Sequence, residues 1–142
     1  MTSRALIVLF AAGLTACPPP RYGFFQYGEL EKPPERDCVQ TAIESRADPG
    51  SVSSNEMNGT WYVEYTRDAT RYGVHVSPRG NPPSFMNNAW GERETPKEAL
   101  ELMRRRVREV TSLVQDQCGV DHLVARVAEQ CGGIHCDELP KE

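Results

Sequence analysis

The chain has 142 residues, 39% of them hydrophobic and 25% charged, which is the composition of one globular domain rather than of a disordered segment. Sixteen basic residues against twenty acidic ones give a net charge of −4 at pH 7, which argues against a broadly basic nucleic-acid binder. No stretch reaches the roughly 18 consecutive apolar residues that a membrane-spanning helix requires, and the five cysteines become the most informative count.

Residues 1–16 read as a secretory signal peptide. Arg4 supplies the positive start, Ala5 to Leu14 is almost wholly apolar, and small residues precede the cut site. Leu14-Thr15-Ala16-Cys17 resembles the lipobox of bacterial lipoproteins, in which a small residue stands before an invariant cysteine. The resemblance spans residues 1–17 and does not bear on the fold. It implies cleavage after Ala16, a diacylglycerol attached to Cys17 and acylation of the new amino terminus. Several acyl chains, at ~0.8 kcal/mol per buried CH₂, anchor a protein stably where one does not. In that family an Asp after the cysteine tends to retain the protein in the inner membrane. Pro18 stands there instead, so the resemblance implies an outer-membrane anchor with the domain facing the periplasm.

Residues 17–34 read as a lipidated, proline-rich tether, because Pro18-Pro19-Pro20 favours extended polyproline II. Within it, Tyr22, Phe24, Phe25 and Tyr27 form an aromatic cluster, expected as a short strand or an ordered arm packed on the body. A single globular domain is expected over 35–142. Residues 35–46 carry Cys38, Val39, Ala42 and Ile43 at the helical period, with Pro34 suited to the first turn and Asp48-Pro49-Gly50 as the stop. Ser51 to Met57 reads as a polar loop.

The clearest β signal follows Asn58-Gly59. Trp61, Val63 and Tyr65 alternate with polar neighbours, and Tyr72, Val74 and Val76 do so again. Pairing Thr66 with Arg71 across a four-residue turn sets Trp61 against Val76, Val63 against Val74 and Tyr65 against Tyr72, so that one face of the 59–78 hairpin is wholly apolar. A one-residue slip splits that face, so the pattern selects this register. A lone hairpin is unstable, and the face must be covered by helix.

Pro78 to Gly91 is rich in proline, glycine and asparagine and reads as a long loop, folded back onto the body by Met86 and Trp90. Thr95-Pro96-Lys97-Glu98 has the spacing of a capping box, and a helix is expected over 96–118. Its inner stripe is Leu100, Met103, Val107, Val110 and Val114, and Cys118-Gly119 ends it. Arg104, Arg105, Arg106 and Arg108 read as a solvated back, offset by glutamates in the pairs Glu101–Arg105 and Arg105–Glu109. Asp121 can cap a last helix over 121–131; a final strand is the lesser choice.

Removing Cys17 leaves Cys38, Cys118, Cys131 and Cys136, an even count that reads as two disulfides in an oxidising compartment. Ten helical residues set Cys118 and Cys131 ~15 Å apart by rise alone, too far for a bridge. The preferred pairing is therefore Cys38–Cys118 with Cys131–Cys136, and the alternative is Cys38–Cys131 with Cys118–Cys136. A metal site at Cys131-x3-His135-Cys136 is the rival, but its spacing departs from the common zinc patterns.

Nucleophile-elbow, zinc-protease and phosphate-loop motifs are absent from the sequence. Glu64 and His75 on the hairpin's wet face form the one carboxylate–histidine pair, and exposed strand residues of this kind are usually decoration. Gly59-Thr60-Trp61-Tyr62 is similar to the G-x-W-Y of the lipocalin first strand. A lipocalin needs eight strands and the chain offers one secure hairpin beside a long helix, so the family is not adopted.

The expected architecture is thus α+β: a small sheet built on the 59–78 hairpin, covered by helices 35–46, 96–118 and 121–131, and stapled by disulfides. The expected role is non-enzymatic: a protein-binding, inhibitory or scaffolding module anchored in the bacterial envelope. It has no catalytic residues, no metal, no cofactor beyond the lipid on Cys17, and no nucleic-acid partner. Candidate contact residues toward an envelope protein are Tyr22, Phe24, Phe25, Tyr27, Phe85, Met86 and Trp90. A small-ligand or lipid carrier using the aromatic hairpin face is the alternative.

Overall fold

The computed structural model describes residues 22–92, 94–119 and 128–140. Cys17, the signal segment and residues 120–127, including the proposed cap Asp121, lie outside the described residues. The architecture is α+β: six antiparallel strands in the order β2-β3-β4-β5-β1-β6, with two helices packed on one face. The strands are β1 (Tyr22–Glu29), β2 (Ser53–Met57), β3 (Thr60–Arg67), β4 (Thr70–Ser77), β5 (Ser84–Gly91) and β6 (Ala128–Gly132). The helices are α1 (Arg36–Glu44) and α2 (Lys97–Cys118), and a 3-10 turn covers Cys136–Glu138. No helix among the described residues is long and apolar enough to cross a membrane.

β3 and β4 pair with Trp61 opposite Val76, Val63 opposite Val74 and Tyr65 opposite Tyr72. Pairing runs on to Arg67 and Thr70, so the turn holds only Asp68 and Ala69, both at positive φ as a tight hairpin requires. The inward residues of this hairpin meet Leu100, Met103 and Val107 of α2 in one buried cluster. Among the described residues that face is packed core, with Trp61, Tyr65 and Tyr72 all buried in it.

Three expected segments differ from the structure. The polar stretch before Asn58 is not a loop: Ser53–Met57 forms the edge strand β2, joined to β3 by Asn58 and Gly59 at φ 55° and 76°. Its exposed side chains lack the apolar alternation that betrays a strand, because an edge strand buries little. The 78–91 loop is not a loop either. Only 78–83 connect β4 to β5, and β5 lies between β4 and β1. Asn87 hides its strand character, since it sits at an inward position with 0% exposure. Its amide nitrogen is paired there, donating to the Val107 carbonyl (2.9 Å) and the Thr111 hydroxyl (3.1 Å).

The helix expected through residue 131 gives way at its described end to β6, which pairs with β1 from Gly23 opposite Gly132 to Tyr27 opposite Ala128. The aromatic cluster becomes β1, flanked by β5 and β6, so the globular unit includes Tyr22 and does not begin at residue 35. Leu139, after the 3-10 turn, closes the core.

The bridges are Cys38–Cys118, tying α1 to the end of α2, and Cys131–Cys136, closing a small ring after β6. The second bridge occupies both thiols of the weighed metal motif, and His135 Nδ1 instead meets Glu138 Oε1 at 2.9 Å. The hydrogen bond from His135 lowers the pKa of that carboxyl.

At the start of α2 the Thr95 hydroxyl turns back to donate to the Glu92 carbonyl at 2.6 Å, so the capping box does not form and Pro96 is the cap residue. Gly119, at φ 63°, ends the helix in the left-handed conformation.

The arginine run is a solvated back only in part: Arg105 is exposed, but Arg104 and Arg106 turn to the protein. Arg106 is buried and reaches the β3–β4 turn, bonding the Asp68 carboxylate and the Arg67 carbonyl. Burial opposes its charge, but the neighbouring Tyr72 hydroxyl and Asp68 carboxylate outweigh that and raise its pKa. Tyr65, alongside, has its phenol pushed well above the ordinary range, first by burial and then by Tyr72. Arg104 lies over the Phe24 ring and donates to the Pro140 carbonyl. Glu109 turns to Arg46 and Arg67 rather than to Arg105.

Candidate binding surface

Strand alternation divides the sheet into two faces of different character. Inward positions make the core with α1 and α2, while no described helix lies on the other face. Outward residues meet in rows across the strands. One row runs Asn55, Tyr62, His75, Met86 and Tyr27, from β2 to β1. Beside it on one flank lie Thr60, Ser77, Ser84 and Glu29, and on the other Glu64, Gly73, Asn88 and Phe25.

The Tyr62 and His75 rings pack edge to face with centroids 4.7 Å apart, forming a ridge in the middle of this face. A concavity of about 630 Å³ opens on one side, reaching to Tyr27, Glu29, Thr60, Ser77 and Met86. The Thr60 and Ser77 hydroxyls join at 2.9 Å within its lining. A second concavity, of about 420 Å³, lies on the other side between Asn55, Glu56, Met57, Glu64 and Trp90.

Trp90 extends the aromatic surface, its ring centroid 6.0 Å from that of His75. The outer edge of its indole lies against Gly73, where a Cβ would stand 2.7 Å from the ring. Gly73 is therefore the residue that lets the tryptophan rest on the sheet.

The candidate contact residues divide between the faces. Phe24 and Phe85 point inward and are 2% and 3% exposed, so they serve the core, Phe85 also closing the floor of the larger concavity. Phe25, Met86 and Trp90 are half-buried on the outer face, and Tyr27 is 41% exposed there. Tyr22 opens β1 opposite Gly91. The four outward residues thus share one surface although they come from two expected features, an arm and a loop.

That surface also holds residues the sequence did not propose for contact: Tyr62, His75, Glu29, Glu64, Thr60 and Ser77. The hairpin alternation already set Tyr62, Glu64 and His75 outward. What it lacked was the adjacency of β5 and β1, which joins them to Met86 and Tyr27. Among the described residues no group of three His, Cys, Asp or Glu side chains is arranged to hold a metal ion.

Compared with protein-family models, with curated proteins and with solved structures, the chain gives no match.

Proposed function

We propose that the protein is a lipid-anchored binding module of the bacterial outer membrane, facing the periplasm, that holds an envelope protein on the uncovered face of its sheet. The single observation that carries the binding role is the one-sided packing. Both helices serve one face, while the other presents Tyr27, Tyr62, Met86 and Trp90 around two adjoining concavities. Aromatic and methionine side chains partly withdrawn from water are the residues that anchor interfaces. The membrane address rests on the lipobox-like ending at Cys17, and the disulfides accord with an oxidising compartment. The role is binding rather than catalysis, with no cofactor beyond the covalent lipid.

The test has two parts. Bacteria producing the protein are grown on radiolabelled palmitate, with a Cys17→Ala variant as control. Label on the native chain and none on the variant supports the anchor; a labelled variant or an unlabelled native chain refutes it. In-cell crosslinking with mass spectrometry then identifies neighbours. Recovery of no envelope protein refutes the binding role.

A further inference from the structure

The uncovered face has the size, shape and residue placement of one half of a two-fold pair. Four strands of eight residues and two of five, at ~4.8 Å between strands and ~3.3 Å per residue, cover about 660 Å². Two such faces bury about 1,300 Å² on meeting, within the range of specific protein interfaces. Of the three large hydrophobic side chains most exposed among the described residues, two, Tyr27 and Met57, stand on this face.

Sheets pack face to face with their strands nearly aligned, which leaves two directions for a two-fold axis, along the strands or across them. The proposed anchor selects the first. Tyr22 starts β1 at the Trp90 end of the sheet, five residues after Cys17, a reach of at most ~18 Å. An axis along the strands puts both anchors at one end of the pair, where a single membrane takes both. An axis across the strands puts them at opposite ends, and the far anchor would have to return past ~26 Å of strand.

Running along the strands between β4 and β5, the middle of the sheet, the axis exchanges β3 with β1 and keeps each row in register. Tyr62 then faces Tyr27 of the second copy, and His75 faces its Met86. The Tyr62–His75 ridge of each copy thus meets the Tyr27–Met86 side of the other, where the larger concavity opens. Arg71 faces Trp90, a cation against a ring. Glu64 faces Phe25 and Glu29 faces the Thr60 hydroxyl, so no carboxylate of this face meets another.

We propose that the uncovered face binds a second copy of this chain, in a two-fold sandwich whose axis runs along the strands between β4 and β5. This deepens the binding reading by naming the envelope protein that is held, and rests on it.

The experiment uses the full-length protein purified from membranes in a density-matched detergent. Sedimentation equilibrium is expected to give twice the chain mass. Tyr27→Glu, at an exposed position, should raise the dissociation constant about a hundredfold, tenfold for each of its two occurrences in the pair. Ser112→Glu, on the exposed side of α2, should leave it unchanged. An unaltered far-ultraviolet spectrum establishes that Tyr27→Glu is folded. A photoreactive residue at position 62 should join two copies of the chain, with the crosslink ending in β1 or β5. A single-chain mass at every concentration overturns the proposal, as does an equal dissociation constant for the native chain and Tyr27→Glu, or a crosslink from position 62 to the helices of the second copy. If the chain sediments as a monomer and position 62 joins a different protein, the second copy falls and the binding surface stands. Adducts from a photoreactive residue at position 112 with none from position 62 remove the surface itself.

Discussion

The two disulfides should differ in worth by about twofold, because they close loops of very different length. Cys38–Cys118 joins residues 80 apart and Cys131–Cys136 residues 5 apart. In the chain-entropy treatment the first removes about 4.5 kcal/mol of denatured-state freedom and the second about 2 kcal/mol. The perturbation is replacement of both cysteines of one bridge by serine, made separately for each bridge. Urea unfolding followed by circular dichroism at 222 nm gives the free energies by linear extrapolation. Opening the long loop also expands the denatured chain and changes the slope, so extrapolated energies rather than midpoints are compared. At about 4 °C per kcal/mol for a domain of this size, the long-bridge variant should melt ~18 °C below the native protein and the short-ring variant ~8 °C below. Equal losses, or a larger loss for the Cys131–Cys136 pair, refute the loop-length argument and place the main stabilisation in the native packing around the ring.

Asn87→Asp should cost at least about 3 kcal/mol at pH 7, because it aims a buried carboxylate at the Val107 carbonyl. Burial raises that carboxyl's folded pKa above its unfolded value. The folded state then holds the proton more tightly, so the loss fades as pH falls and is complete above the folded pKa; unfolding curves from pH 4 to pH 8 check this. Arg106→Met keeps the side-chain stem but leaves the Arg67 carbonyl and the Asp68 carboxylate without their guanidinium, for an expected loss of about 2 to 3 kcal/mol in urea unfolding. Arg105→Met on the exposed face should change stability by less than about 0.5 kcal/mol. Gly73→Ala should lift the Trp90 indole off the sheet, shifting tryptophan emission to the red while the far-ultraviolet spectrum is kept; an unchanged emission maximum contradicts the contact.

Where local chemistry and tertiary position agree, the fold was legible. The β3–β4 register followed from alternation alone, because slipping it by one residue would have divided Trp61, Val63 and Tyr65 from their cross-strand partners. The α2 stripe was equally plain, since Leu100, Met103, Val107, Val110 and Val114 share one face. The preferred disulfide pairing also stands, although one premise, a helix reaching residue 131, does not.

Legibility failed where the two disagree. β5 carries Asn87 and Asn88 in the middle of a sheet, residues that belong in turns, and Asn87 is held there because Val107 and Thr111 of α2 accept from its amide nitrogen. Its partners lie far off in sequence on β1, so no local pattern announces it. Arg106 was hidden in the same way: an arginine reads as solvated until a hairpin turn places Asp68 above it. The candidate surface inherited both difficulties. Its β3–β4 half was present in the alternation, but its β5–β1 half required knowing that the supposed loop and arm are neighbouring strands.

The most direct measurement is site-specific photocrosslinking in living bacteria, with a photoreactive residue replacing Tyr62 at the ridge of the sheet face or Ser112 on the exposed side of α2. Adducts to an envelope protein from position 62, and none from position 112, are the predicted result. Adducts from position 112 with none from position 62 would contradict the assignment of the uncovered sheet as the binding surface.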